Sequence, residues 1–193
     1  MRTFWLIAPY AAWMALMAAL PATVECYAVR TCVTAALLVP TLCARLSGGC
    51  RGLAQRLAWG VPVGLAVFAV WILPEQFDWP LYRRFCIVGE GGVQGMAGAG
   101  AALLAVRLFG SAFVISAAEE LFFRKWLVGF AGFWWMVALF AVEHDRWLVG
   151  AVAGAVYGWM CLRRGLGAAV VAHATTNLAL GLWVLRTGQW QFW

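Results

Sequence analysis

Three short stretches of this chain place ionisable side chains inside otherwise apolar sequence. They are Ala117-Ala118-Glu119-Glu120-Leu121-Phe122-Phe123-Arg124, then Phe140-Ala141-Val142-Glu143-His144-Asp145-Arg146, then Val171-Ala172-His173-Ala174-Thr175-Thr176-Asn177. The chain has two histidines, His144 and His173, and eight acidic residues. Both histidines and four of the acids (Glu119, Glu120, Glu143 and Asp145) fall in these stretches. A charged group in lipid costs roughly 2.5–3.5 kcal/mol near a helix centre. Carboxylates and imidazoles at such positions are therefore candidates for acid–base chemistry.

Helical spacing says which of these groups can cooperate. Glu120 and Arg124 stand at i and i+4 and can form an ion pair. Glu119 is turned about 100° away and has no partner in its own helix, which leaves its carboxylate available as a general base. The plainer reading is that Glu119 to Lys125 is the charged end of a span. Phe140 and His144 share a face one turn apart; here the plainer reading is a polar turn between two helices. His173 and Asn177 share a face at i and i+4 and present an imidazole and an amide that can hold a water or an oxyanion. The alternative is a buried histidine hydrogen-bonded to a neighbouring helix.

The elements that must position these groups are membrane helices. Of 193 residues, 65% are hydrophobic and 11% charged, with a mean hydropathy of +0.84. A soluble domain is about half apolar and a quarter charged. The composition excludes a disordered chain, a coiled coil and a water-soluble nucleic-acid binder. The 13 Trp, 12 Phe and 4 Tyr suit aromatic belts at the membrane interface. At about 20 apolar residues per span, the length allows an all-α polytopic bundle of about seven transmembrane helices (six to eight) around a polar cavity within the membrane.

Residues 1–193 read as a single membrane domain, with variable amino-terminal spans and an interfacial segment over 1–100 and the catalytic core helices over 101–186. The expected spans are Phe4–Leu20, Tyr27–Leu46 with a kink at Pro40, Leu57–Leu73, Ala102–Arg124, Leu127–Val142, Trp147–Leu162 and Leu166–Leu185. An interfacial segment is expected from Pro74 to Glu90, followed by a glycine-rich run up to Gly100. The first apolar run is longer than a usual signal h-region and is read as a retained span. The net charge of +6 includes two short basic loops, 45–56 and 163–164, that fall on one side. By the positive-inside rule this puts the amino terminus in the cytoplasm and the carboxyl terminus outside. The cysteines (Cys26, Cys32, Cys43, Cys50, Cys86 and Cys161) form no CxxC pair and are expected to pack as small hydrophobes.

Taken together, Glu-Glu-x-x-x-Arg, Phe-x-x-x-His and His-x-x-x-Asn, in that order on successive hydrophobic helices, resemble the CAAX protease and bacteriocin-processing (CPBP) family of glutamate-type intramembrane proteases. Glu119 to Asn177 carries the resemblance. It implies Glu119 as the glutamate that activates water, Glu120 as its neighbour, and Arg124 as the arginine holding Glu120 aside. Lys125 stands where the family often has Gly. It further implies His144, supported by Phe140, as the second-motif histidine, and His173 with Asn177 as the third motif. On that reading Glu119 and a histidine deprotonate water, while His173 and Asn177 stabilise the tetrahedral oxyanion. The implied substrate is a membrane-anchored protein or peptide cleaved near its carboxyl terminus, in a bacterial inner membrane, without a cofactor and without nucleic acid. His-Ala-Thr-Thr-Asn-Leu followed by Thr-Gly-Gln-Trp-Gln-Phe-Trp is also similar to the bacterial subgroup associated with exosortase-type C-terminal sorting systems.

Other readings use the same residues. Two histidines and two glutamates can supply a zinc-like ligand set, although no His-Glu-x-x-His helix occurs. A non-catalytic membrane assembly or immunity factor, or a small transporter, would use its polar residues to bind helices together. The expected spans also carry a conflict, because about 17 residues of straight helix would set Glu119 and His144 some ~25 Å apart in depth. Either the fifth span starts at the Gly129-Phe130-Ala131-Gly132 break, or Glu143 to Arg146 dips into a water-filled cavity.

Overall fold

The computed structural model describes residues 3–43, 49–89 and 98–193. Arg2, Arg45, Ser47-Gly48, Glu90, Gly91, Gly92 and Gly95 lie outside the described residues, as do the side chains of Cys43, Cys50 and Arg51. Among the described residues the chain is helical, with an isolated antiparallel bridge between Ile87 and Arg146 and no strand. Eight helices are described: α1 (Phe4–Ala19), α2 (Val24–Cys43), α3 (Gly49–Gln76), α4 (Pro80–Cys86), α5 (Ala101–Ala131), α6 (Phe133–Val142), α7 (Trp147–Arg164) and α8 (Leu166–Thr187). A 3-10 turn, Trp190–Phe192, follows. Four stretches are long and apolar enough to cross a bilayer: Val24–Thr41, Gly52–Gln76, Ala101–Ala131 and Leu166–Thr187. The result is a polytopic all-α membrane protein, as its composition requires.

One sequence-based boundary shifts at Arg124. A pair of basic residues reads as the end of a span, yet α5 runs on past Arg124 and Lys125 to Ala131. The physical reason is that Arg124 is buried beside Glu120, so its charge has no need of the interface. Gly132, at φ 88°, then breaks the chain in a conformation open to glycine but not to residues with a Cβ. α6 returns for only 10 residues, roughly half of the ~30 Å hydrocarbon thickness. From Gly132 it is 13 residues back to Glu119 and 12 forward to His144, so both sit about 18–20 Å from the turn. The depth conflict disappears, because the return helix starts at Gly132 rather than at Leu127.

Gly165, at φ 85°, makes the second hairpin, between α7 and α8. Tyr157 and His173 stand eight residues either side of it and meet as stacked rings 4.7 Å apart. α8 also packs closely on α3 through a Gly60-Val-Pro-Val-Gly64 face. A Cβ at Gly60 would run into the Val171 side chain, and one at Gly64 into Thr175 and the Ala172 carbonyl. Close approach of backbones through small residues is how membrane helices associate. Here it lets Thr176 Oγ donate 2.8 Å to the Gly64 carbonyl. Along the rim, α4 carries Leu81, Phe85, Arg83 and Arg84 outward, in keeping with an interfacial helix. Beneath it Glu75 and Arg146 form a buried ion pair. Cys26, Cys32, Cys86 and Cys161 are free thiols.

Candidate active site

The two glutamates leave α5 where its winding changes. Gly110–Ile115 and Glu120–Leu127 are π-helical, with a short α segment, Ser116–Glu119, between them. Such wide turns inside α-helices are frequent at functional sites because they re-aim side chains. Glu119 and Glu120 are both buried and close on the same imidazole from α8. His173 Nδ1 lies 3.0 Å from Glu120 Oε1, and His173 Nε2 lies 3.6 Å from Glu119 Oε2. Glu120 Oε2 in turn faces Arg124 Nε at 3.3 Å, with both side chains wholly buried. The Arg124 guanidinium lies 4.2 Å over the Phe140 ring and has no hydrogen-bond partner among the described residues. Arg124, Glu120, His173 and Glu119 thus form one line of ionisable groups.

Glu120 is therefore not set aside by Arg124, as the spacing within its own helix implies. It occupies one ring nitrogen of His173 and leaves the other facing Glu119. An ionised carboxylate can only accept, so the hydrogen of the neutral imidazole sits on Nδ1 and Nε2 presents a lone pair.

His144 comes to the same cavity from the end of α6. Its Nδ1 lies 2.7 Å from the Phe140 carbonyl, which can only accept, so Nδ1 carries the hydrogen here too. Phe140 is buried and packs its ring against both imidazoles, with centroids 4.7 Å from His144 and 5.8 Å from His173. The two histidines, Asn177 and Tyr157 share the lining of a cavity of about 160 Å³. Asn177 Nδ2 donates to the Ser111 carbonyl and to Ser116 Oγ, each at 3.0 Å. Both amide hydrogens are engaged, so Asn177 ties α8 to the glutamate-bearing helix. It does not offer the free donor that the oxyanion expectation assigned to it. Among the described residues no three His, Cys, Asp or Glu side chains are grouped to hold a metal ion.

The comparisons with known proteins bear on the same helices. Residues 101–179, from the start of α5 to the middle of α8, match the family model described as Rce1-like, type II CAAX prenyl endopeptidase. Over that segment the chain is similar to the CAAX prenyl endopeptidases. No curated protein and no solved structure matches it. CAAX prenyl endopeptidases are intramembrane proteases, and this chain is a hydrolase of that general kind. The match spans the two glycine hairpins, the part of the chain that brings His144, His173 and Asn177 to one cavity and sets Glu119 and Glu120 against His173.

Several residues of this site carry no signal in motif spacing. Tyr157 stacks on His173 and donates to Thr176 Oγ at 2.7 Å. Trp71 of α3 sets its ring 5.4 Å from that of His144. Ser111 and Ser116 hold Asn177. Tyr157 was findable in principle, since it mirrors His173 about Gly165; the serines were not, because nothing marks a π-helical turn in sequence. The Asn177 geometry gives a direct expectation. Asn177→Ala should lower kcat about 100-fold, the scale of a misplacement of roughly 1 Å, while leaving residual activity. Asn177→Asp, whose carboxylate cannot donate to the Ser111 carbonyl, should fall at least as far. A fully active Asp variant would show that this tie is dispensable.

Proposed function

We propose that this protein cleaves a membrane-tethered protein near its carboxyl terminus, using Glu119 to activate water. The observation that carries the reading is that Glu119 and Glu120 bracket His173, whose ring lines the cavity. Glu119 takes a proton from water as the water oxygen bonds to the peptide carbonyl carbon. The tetrahedral intermediate then collapses as the proton passes through His173 Nε2 to the leaving nitrogen and the C–N bond breaks. Glu120, accepting from His173 Nδ1, stabilises the imidazolium formed in transit. Both Glu120 hydrogen bond and Arg124 charge are in place before the reaction, so no reorganisation is needed at that moment. His144, whose Nδ1 hydrogen goes to the Phe140 carbonyl, presents Nε2 to the cavity as an acceptor that can orient the attacking water.

The tether is a prenyl group or a sorting helix, the second within an exosortase-type system. The setting is a bacterial inner membrane with the amino terminus in the cytoplasm. Supporting that orientation, Arg56 reaches Gly167 and Arg164 stacks 3.8 Å over Trp59, so two basic segments meet at one end of the bundle. The test is purified protein in liposomes, offered the same peptide on a prenyl thioether and on a carboxyl-terminal transmembrane helix. Release of a defined fragment from either, at a rate unchanged by metal chelators, is the expected result. Loss of activity on chelation, restored by zinc, would replace the glutamate mechanism.

A further inference from the structure

Arg107 lies on α5, 12 residues before Glu119, and lines the same cavity as His173 and Asn177. Its guanidinium stacks 3.9 Å from the Tyr27 ring centroid and 5.5 Å from that of Trp193. Its Nε is buried without a hydrogen-bond partner. Among the described residues no carboxylate lies within ion-pair distance of it. The other inward arginines are matched: Arg124 has Glu120, Arg146 has Glu75, and Arg30 donates to the Pro21 carbonyl at 2.7 Å.

An arginine near a helix end ordinarily snorkels its head to the interface. Arg107 turns inward instead, and two aromatic faces fix the plane of its fork. A fixed guanidinium without an acidic partner suits a planar anion taken from outside the protein, with a carboxylate the best geometric match. The spacing points the same way. Twelve residues of helix cover about 18 Å, and an extended peptide covers roughly 3.3–3.6 Å per residue. After allowing for the side chains at both ends, roughly three to five residues of extended peptide fit between Glu119 and Arg107.

We infer that Arg107 binds the terminal carboxylate of the substrate and is the side chain that holds its free end in the cavity. The inference rests on the endopeptidase reading, and binding tests it separately from cleavage. The probes are one lipid-tethered peptide ending in a carboxylate and the same peptide ending in a carboxamide, titrated against Glu119→Gln protein in liposomes. The carboxylate form should bind about ten- to a hundredfold more tightly, as for a hydrogen-bonded ion pair. Arg107→Gln should bring the two forms within twofold of each other. Arg107→Lys should keep a weaker preference for the carboxylate.

Equal binding of the two peptides by protein retaining Arg107 overturns the inference, and needs no Arg107 variant to show it. So does an Arg107→Gln protein that binds both less tightly but keeps their ratio, since that is a structural role. A carboxylate preference with no cleavage by the Glu119 protein would sink the endopeptidase reading and leave the carboxylate site standing.

Discussion

Glu119→Gln is expected to abolish cleavage while the helical bundle stays intact. The substitution keeps the shape of the side chain and removes its ability to take a proton from water. Positioned acid–base groups contribute typically 10²–10⁴-fold, so the loss should reach about a thousandfold or more, below detection in most peptide assays. Glu119 Oε2 has no hydrogen-bond partner among the described residues and faces His173 Nε2 at 3.6 Å. An amide there breaks no existing hydrogen bond, so thermal unfolding in detergent should differ little from that of the unsubstituted protein. Fragment release followed by mass spectrometry is the measurement. A Gln variant that cleaves at the normal rate would remove Glu119 from the chemistry altogether.

The second large effect should appear as instability. Arg124→Met leaves Glu120 buried with its charge uncompensated, in a pair whose side chains are both fully inaccessible. Breaking one half of a buried ion pair costs roughly 3–5 kcal/mol, a large share of a typical domain's stability. The packing term is smaller, because methionine can still fill space over the Phe140 ring. Adding Glu120→Gln to Arg124→Met removes the stranded charge and should restore most of the lost stability. It should not restore cleavage, since a neutral amide cannot stabilise an imidazolium at His173 as a carboxylate does. Unfolding curves and rates on the three proteins separate these terms. Equal stability of Arg124→Met and the double variant would mean that Glu120 is not ionised beside Arg124.

The helical, membrane-embedded character of the chain was legible because composition alone forces it. So was the meeting of His144, His173 and Asn177, since polar groups inside apolar helices have few tolerable locations. Depth was not legible. Arg124 and Lys125 carry the same signature as the end of a span, and only the long-range partner Glu120-His173 pairing shows why the helix continues through them. The division of labour at the cavity was also hidden. Spacing within one helix pairs Glu120 with Arg124, and it cannot reveal that a second helix offers His173 to both glutamates. Asn177 illustrates the same limit: its i+4 relation to His173 suggests a joint donor site, whereas its hydrogens go to Ser111 and Ser116 on α5.

The hairpin at Gly132 fixes more than a change of direction. Because Glu119 and His144 lie almost equally far from it along antiparallel helices, the turn acts as the zero mark of a ruler. Adding one residue to α6 would lower His144 by about 1.5 Å and swing it through about 100°, away from the cavity it shares with His173. Adding a full helical turn would restore its direction yet leave the two about 5.4 Å out of level. Length between Gly132 and His144 is therefore under tighter constraint than identity, and α6 can exchange one apolar residue for another far more freely than it can gain or lose one.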